Sequence, residues 1–426
     1  MPLYAGVCET NITPPPDVWM GCDEGRARAA GVHDELYARA LVLDNGHKRV
    51  ALVAADLIAL PEESATHIRQ LIASILETEP GAIMLHCTHT HGGPLTWPHH
   101  NMGLSASATE LQENCDSSAE NAYKNAAYEE AYRTVLCGKL IGVARQAADN
   151  LQPASLIYGE ASAQIGVNRR QTNAGGRIIR GHNYGGPVSS LVQALCVNGA
   201  DGRTFALLCG HACHPTTMEG ANRLLTADWP GAAVSHLKER FRKESAETGM
   251  TSDALPIFLQ GCCADIDPVR RGTWEAVLTN GRIIADAAHT ARWNAHGHLG
   301  ETLDFAEITV MLPLLTSPMQ TAPKDPPEKT LQPFTIRKLT LGGATLLGFP
   351  AEMFVQYQQD FRALSSAPLF CLNYTNGYWG CLPIQTEFEQ ASNVMDETVK
   401  NCGPHVFAPE SEILIRQAVQ QLLDKE

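Results

Sequence analysis

Three histidines lie within six residues in the segment 86-HCTHTHGGP-94, directly after an apolar stretch. Histidine is a usual ligand of zinc and a usual general acid or base near neutral pH. Residues two apart in an extended segment point to the same side, so we expect His89 and His91 to face one cavity, with His86 on another side. Taken alone, the segment is explained equally well by a metal site and by a surface histidine loop.

Histidines and carboxylates follow three further apolar stretches in the same way. They are His211 and His214 after residues 204–209, Asp265 and Asp267 after residues 254–260, and Glu352 after residues 344–349. Ligands of open α/β sheets bind outside the carboxyl ends of the strands, so four such ends are more informative than any one of them. We therefore predict one site at these ends.

Each of these residues also has a purely structural interpretation. His211 and His214 are both potential metal ligands, but one of them could instead hold its loop in place by hydrogen bonding. Asp265 and Asp267 could bind a metal, act as a base, orient a histidine or accept hydrogen bonds from the main-chain amides of a turn. Glu352 could act only as a favourable negative charge at the N-terminus of a following helix, and Asp228 could be the N-cap of a helix.

The segment Asn168-Arg169-Arg170 lies in a polar, glycine-rich region and is a candidate for substrate binding. A buried arginine stabilises an oxyanion or a carboxylate, whereas two exposed arginines would only be solvated. The aromatic segment 374-YTNGYWG-380 either packs in the core or presents a tyrosine hydroxyl to a cleft.

The elements that must position these residues alternate between strands and helices. A hairpin around Asn45-Gly46, strands at 82–88 and 254–260, and a strand at 335–349 are predicted, with helices at 61–77, 127–150, 229–242, 273–292, 351–364 and 408–424. This alternation predicts an α/β fold with a large mixed β-sheet flanked by helices, built as one domain over residues 1–426. The Pro-rich segment 317–332 is predicted to be a linker or an excursion from that domain.

The bulk composition excludes several classes of partner. With 32 Lys and Arg against 46 Asp and Glu, the net charge of −14 argues against nucleic acid binding. There is no apolar run of about 18 residues, so stable membrane insertion is not expected. The start of the chain lacks the pattern of a secretion signal, and the 13 cysteines lie mostly in apolar runs, so we expect a cytoplasmic protein with reduced thiols. The sequence is compatible with a homo-oligomer.

Six short motifs in this order resemble the neutral/alkaline non-lysosomal ceramidase family. They are THTHGGP (88–94), VNRR (167–170), CHPTTM (213–218), QGCCADIDP (260–268), FPAEMF (349–354) and NGYWG (376–380), and the N-terminal segment 32–43 is also similar. The resemblance, which covers roughly residues 4 to 400, implies a zinc ion held by His89, His214, Glu352 and Tyr378. It further implies a catalytic role for His91 beside the scissile carbonyl and a site role for Arg169.

The chain departs from the family pattern at two positions of the expected site. Asp267 stands where the family has a serine, and a second site tyrosine of the family would fall near Asn393. We expect this protein to lack the family's C-terminal β-sandwich domain and its secretion signal. We therefore expect a substrate other than ceramide.

The expected activity is that of a zinc-dependent hydrolase acting on a linear amide bond of a small molecule. Zinc lowers the pKa of a bound water to about 7, which supplies a nucleophile without a serine. His91, Arg169 and Asp267 are the predicted catalytic residues, and Asn168, Arg170 and Asp265 the predicted substrate-binding residues. The alternatives are a zinc esterase or lactonase and a non-catalytic metal- or ligand-binding protein.

Overall fold

The computed structural model describes residues 2–21, 28–96, 119–176, 178–218, 220, 222–248, 254–314, 330–390 and 407–424. The helices are α1 (Glu62–Ile75), α2 (Ala119–Asp149), α3 (Asp228–Thr248), α4 (Trp274–Trp293), α5 (Val355–Leu364), α6 (Gln385–Gln390) and α7 (Ser411–Leu423), with a 3-10 turn at Pro80–Ala82. None of the helices in these residues is long and apolar enough to cross a membrane.

The strands are numbered in chain order. They are β1 (Tyr4–Asn11), β2 (Gly31–Val32), β3 (Tyr37–Asp44), β4 (Arg49–Ala55), β5 (Ile83–Cys87), β6 (Gln152–Ser162), β7 (Gly166–Thr172), β8 (Ile178–Asn183), β9 (Leu191–Gly199), β10 (Thr204–His211), β11 (Leu224–Leu225), β12 (Leu255–Gln260), β13 (Ile266–Pro268), β14 (His296–His298), β15 (Leu303–Pro313), β16 (Leu331–Leu341), β17 (Ala344–Gly348), β18 (Glu352–Met353), β19 (Leu369–Leu372) and β20 (Cys381–Leu382).

A nine-stranded mixed sheet forms the centre of the fold. Its strand order is β12-β10-β9-β6-β1-β3-β4-β5, and β14 pairs with β6. The pairs β10–β12 and β4–β5 are parallel, and the others are antiparallel. The sheet's two outermost strands also meet, because the main-chain N–H of Gln260 donates to Nε2 of His86 at 2.8 Å. The carboxyl ends of β5 and β12 are thereby brought to one place.

Both faces of this sheet are covered, which explains its apolar strands. Along β3, Ala40 and Val42 pack on the side of helices α1 and α2, while Leu41 and Leu43 pack on the side of a second sheet. That second sheet has the order β15-β16-β17-β19, and its outer face is covered by helices α5 and α7. Helices α3 and α4 cover the part of the large sheet around β9, β10 and β12. The layers are therefore helices, large sheet, small sheet and helices.

The predicted large mixed sheet flanked by helices is confirmed, and the small sheet is an addition to it. The hairpin prediction is also confirmed, since β3 and β4 pair antiparallel across Asn45-Gly46. The predicted strand at 335–349 is two strands, which turn at Gly342 with a φ of 62°. Most of the Pro-rich segment 317–332 lies outside the described residues, and Leu331 already belongs to β16.

Candidate metal centre

The loop after β5 carries the first two residues of the site. His89 adopts a left-handed backbone with φ 65°, so the expected extended geometry of this segment is wrong. Main-chain bonds hold this turn, since the N–H of His89 donates to the carbonyl of Leu57 at 2.9 Å. The predicted convergence is nevertheless found, because Nε2 of His91 lies 3.2 Å from Nε2 of His89.

Two buried histidines are oriented by backbone carbonyls. The Nδ1–H of His89 donates to the carbonyl of Ile58 at 2.7 Å, and the Nδ1–H of His214 donates to the carbonyl of Cys263 at 2.7 Å. A proton on Nδ1 leaves the Nε2 lone pair available to a ligand. Burial lowers the pKa of His89 well below its ordinary value, although the charge of Glu352 opposes this shift. The imidazole of His89 is therefore neutral, as a metal ligand must be.

Glu352 lies between these two imidazoles. Its Oε1 is 2.9 Å from Nε2 of His214, its Oε2 is 3.6 Å from Nε2 of His89, and Oε2 accepts a bond from the Tyr378 hydroxyl at 3.3 Å. Burial raises the pKa of Glu352, but the contact with His214 and the charge of Arg169 outweigh burial and hold that pKa well below its usual range. Glu352 is therefore a buried carboxylate that is ionised.

This donor set fits a metal ion. A carboxylate oxygen and an Nε2 lone pair are both acceptors, so a proton or a cation must lie between Glu352 and the two histidines. Imidazole nitrogen and carboxylate oxygen are ligands that zinc accepts, and the carbonyl bonds to Nδ1 are the second shell that metal-binding histidines usually have. The candidate ligand nitrogens of His89, His91 and His214 lie within 4.8 Å of one another. His91 is half-buried while the other two are buried, so His91 is the more accessible to a substrate.

Arg169 joins this cluster to Asp267. Its guanidinium is 3.3 Å from Oε1 of Glu352 and 3.4 Å from Oδ1 of Asp267. On its other oxygen, Asp267 accepts from Arg180 at 2.8 Å and from Arg271 at 3.2 Å. Burial raises the pKa of Asp267, but the charges of Arg169 and Arg180 outweigh burial and hold the pKa well below its usual range. Asp267 is thus an ionised carboxylate surrounded by arginines.

Asn168 and Asp265 lie beneath the site and bond to each other. The amide of Asn168 donates to Oδ2 of Asp265 at 2.8 Å, and Oδ1 of Asp265 accepts from the main-chain N–H of Val355 at 2.8 Å. Burial raises the pKa of Asp265 to about 6. The Asp265 carbonyl also accepts from the Arg169 N–H at 2.7 Å, so this pair fixes the strand that carries Arg169.

Arg170 points to a different partner. Its guanidinium pairs with Glu387 at 2.7 Å. Asn393, where the resemblance placed a second tyrosine, lies outside the described residues.

His86 and His211 lie outside the cluster that His89, His91 and His214 form. His86 accepts from the Gln260 N–H and contacts the Thr375 hydroxyl at 3.1 Å, which agrees with the structural role expected for it. His211, at the end of β10, donates from Nδ1 to the carbonyl of Leu191 at 2.9 Å, and burial lowers its pKa to about 4. This hydrogen bond links the end of β10 to the start of β9, so His211 has a structural role.

Asp228 lies at a helix terminus, as one interpretation of the sequence predicted, whereas Glu352 does not. Asp228 begins α3 with a φ of 53°, and its carboxylate accepts from the main-chain N–H groups of Trp229 and Met218. It ties the loop that carries His214 to the start of α3. Glu352 lies in the two-residue strand β18, and α5 begins at Val355, so Glu352 is not in the first turn of that helix.

Three residues of the site were not predicted as such from the sequence. Tyr374 stacks on His89 with ring centroids 3.7 Å apart and planes 6° apart, and its hydroxyl is 3.3 Å from Sγ of Cys263. Its φ of 53° marks a strained turn, and the aromatic segment 374–380 was the only signal for it. Arg180 and Arg271 carried no signal, apart from the four-residue spacing of Arg271 from Asp267.

The fold and the site define a layered α/β protein with a candidate metal centre at the carboxyl ends of its strands. The chain belongs to the neutral/alkaline non-lysosomal ceramidase family, whose N-terminal domain profile matches residues 4–293. It is 25% identical over 235 residues to the neutral ceramidase of Pseudomonas aeruginosa (53% of this chain) and 24% identical over 250 residues to neutral ceramidase B of Dictyostelium discoideum (57% of this chain). These matches span 32% of the length of each relative.

Solved structures show the same fold. The crystal structure of neutral ceramidase from Pseudomonas aeruginosa superposes with a TM-score of 0.72 at 18% identity, covering 100% of this chain and 75% of that one. A structure described as ceramidase complexed with C2 gives a TM-score of 0.72 at 17% identity, covering 100% of this chain and 76% of that one.

Proposed function

We propose that this protein is a zinc-dependent hydrolase that cleaves a linear amide bond in a small-molecule N-acyl substrate. The observation that carries the proposal is the convergence of His89, His214 and Glu352 on one point, with the Tyr378 hydroxyl bonded to the same carboxylate. Membership of the ceramidase family and the similarity to neutral ceramidases support an activity on amide bonds.

The four residues His89, His214, Glu352 and Tyr378 would hold the zinc ion. When bound, zinc supplies Lewis acidity, which lowers the pKa of a coordinated water and polarises a carbonyl group. The protein contributes the fixed orientation of these side chains, since both imidazoles are locked by carbonyl acceptors and His89 is stacked on Tyr374.

His91 and Arg169 would act on the substrate. His91 is half-buried beside the proposed ligand His89, which suits it to donate a proton to the leaving amine nitrogen. Arg169 holds its guanidinium next to Glu352, where its N–H groups would stabilise negative charge on the carbonyl oxygen. These N–H donors are fixed in advance by the contact with Asp267, so they need little rearrangement during the reaction.

Asp267 suits a positioning role better than a role as general base. A carboxylate whose pKa is held low by arginines is a weak base at neutral pH. Asp267 and its arginines also place charge where the family has a serine, which supports a substrate more polar than ceramide. A cytoplasmic location belongs to the same proposal and is supported by the cysteines of the described residues, which are all free thiols.

The test is a hydrolysis assay of the zinc-loaded protein with matched amide and ester substrates and with ceramide. We expect turnover of N-acyl amides, little turnover of ceramide, and loss of turnover in Glu352→Gln. A surface variant, Arg145→Gln, serves as the control because Arg145 is exposed on helix α2, where it pairs with Asp149 one turn along the helix. Turnover of esters alone would favour an esterase, and full activity in Glu352→Gln would refute the proposed site.

A further inference from the structure

One tyrosine connects the segments that carry three of the proposed zinc ligands. Tyr374 is buried in the turn after β19, and its ring stacks on the imidazole of His89 with centroids 3.7 Å apart and planes 6° apart. Rings at this distance are in van der Waals contact over their faces. The His89 imidazole is therefore held on one face by Tyr374 and at Nδ1 by the carbonyl of Ile58.

The hydroxyl of the same tyrosine leads to the second imidazole. It lies 3.3 Å from Sγ of Cys263, and the main-chain carbonyl of Cys263 accepts from Nδ1–H of His214 at 2.7 Å. The amide of Gln260 donates to this sulfur at 2.9 Å and to the carbonyl of Cys213, the residue before His214, at 2.6 Å. The Cys263 side chain is thus held from two directions, and its carbonyl orients His214.

The main chain of Tyr374 bonds to two further segments of the site. Its N–H donates to the carbonyl of Ala351 at 3.2 Å, and Ala351 directly precedes Glu352. Its carbonyl accepts from the N–H of Cys87 at 3.1 Å, and Cys87 lies two residues before His89. Tyr374 therefore ties the segment of His89 to that of Glu352.

The backbone of Tyr374 is strained. Its φ of 53° lies in the left-handed region, which residues with a Cβ avoid and glycine adopts freely. Strain of this kind persists only where the surroundings fix it, and it is often found at functional sites. Glycine would relieve the strain but would supply neither the stacking on His89 nor the contact with Cys263.

We propose that Tyr374 is a positioning residue of the metal centre. Its ring, together with its contact to Cys263, sets the distance and orientation between the imidazoles of His89 and His214. A metal ion must meet both Nε2 atoms at once, so a change in this relation lowers metal affinity and alters the coordination geometry. The inference rests on the proposed function and adds to it a residue outside the proposed ligand set.

The test measures metal binding in variants that remove parts of this tyrosine. Calorimetry gives the zinc affinity, and the visible absorption of cobalt(II)-loaded protein reports the coordination geometry. Tyr374→Leu removes the ring and the hydroxyl and should lower zinc affinity at least about tenfold, with a changed cobalt spectrum. Tyr374→Phe keeps the stacked ring and should lower affinity only about threefold. In both variants kcat for an N-acyl amide should fall while KM stays nearly unchanged, because Tyr374 acts through the histidines.

The contact between the Tyr374 hydroxyl and Cys263 predicts a specific coupling. Cys263→Ala removes the sulfur but leaves the carbonyl that binds His214, and it should also lower zinc affinity about threefold. Tyr374→Phe in the Cys263→Ala background should cause no further loss, since the contact is already broken. Additive effects would show that the hydroxyl and the sulfur act separately, which would contradict the proposed link.

Matched controls come from another buried tyrosine and another buried cysteine. The hydroxyl of Tyr132 on α2 donates to the carbonyl of Ile12 at 2.8 Å, and Cys196 is buried on β9. Tyr132→Phe and Cys196→Ala should lower the thermal unfolding midpoint as much as Tyr374→Phe and Cys263→Ala do. They should leave zinc affinity and the cobalt spectrum unchanged, which a purely structural role of Tyr374 would also predict for its own variants.

Wild-type zinc affinity and cobalt spectrum in Tyr374→Phe and Cys263→Ala would overturn the inference and leave the hydrolytic function standing, as would the same result in a folded Tyr374→Leu protein. Altered metal binding in these variants of a protein that hydrolyses no amide would support the positioning role and refute the hydrolytic function. A wild-type protein that binds neither zinc nor cobalt would refute both.

Discussion

The Nε2 atom of His214 lies 2.9 Å from Oε1 of Glu352, and both side chains are buried. His214 follows β10 of the large sheet, whereas Glu352 follows β17 of the small sheet. The pair therefore joins the two sheets at the carboxyl ends of their strands. The candidate metal centre can form only when both sheets are in place, so changes that loosen the packing between them will also weaken the site.

The loop that carries His91 depends on a close approach at Gly92. A Cβ added there would lie 2.7 Å from the carbonyl oxygen and 2.4 Å from Cγ2 of Thr226. We expect Gly92→Ala to lower the free energy of unfolding by about 1–3 kcal/mol and to reduce activity, because the loop must move.

The neighbouring glycine supplies a matched control. A Cβ at Gly93 would lie 3.3 Å from Cγ2 of Thr90 and 3.5 Å from the Asp56 carbonyl, so Gly93→Ala should have a smaller effect. Denaturant titration of the two variants measures the difference. Equal stability of Gly92→Ala and wild type would show that the loop accommodates the methyl group.

His91 is expected to act in proton transfer and not as a required zinc ligand. His91→Gln should therefore lower kcat by about 10²–10⁴-fold while the protein retains its zinc. Metal analysis beside the kinetic measurement distinguishes the two roles. If His91→Gln loses zinc to the same extent as His214→Gln, then His91 is a ligand.

Replacing Asp267 by the family's serine should destabilise the protein. Asp267→Ser leaves three arginines around a neutral group, and removal of one partner from a buried ion pair costs about 3–5 kcal/mol. The double variant Asp267→Ser, Arg180→Gln removes one of these charges and should recover part of the loss. Chemical denaturation of Asp267→Ser, Arg180→Gln and the double variant measures the coupling energy, and additive effects would contradict a direct interaction.

The sequence was sufficient to predict which strand ends carry the site, because histidines and carboxylates repeatedly followed apolar stretches. It could not predict the φ of His89, since that turn is held by main-chain bonds to the loop after β4. It also could not predict the environment of Asp267, because Arg180 reaches it only through the pairing of β8, β7 and β13. Long-range pairing of this kind is not encoded in local spacing.

Stability should depend on pH through His86. Burial lowers the pKa of His86 from 6.5 to about 3, and its Nε2 accepts a bond that protonation would remove. Because the folded-state pKa is the lower one, this contribution to stability is present above pH 6.5 and is lost as the pH falls below it.

Between pH 7 and pH 5, the wild type should therefore lose about 2 kcal/mol more unfolding free energy than His86→Gln, whose amide oxygen can accept the same bond. Denaturant titrations at the two pH values measure the difference. Parallel pH profiles for the two proteins would rule out His86 as the source of the dependence.

Zinc binding by His89, His214, Glu352 and Tyr378 is the central claim, and calorimetric titration of metal-depleted protein with zinc tests it most directly. We predict one zinc ion per chain, with an affinity at least about 100-fold lower in His214→Gln and Glu352→Gln and unchanged in Arg145→Gln. Absence of stoichiometric zinc binding by the wild type, or equal affinity in His214→Gln and Glu352→Gln, would contradict the claim.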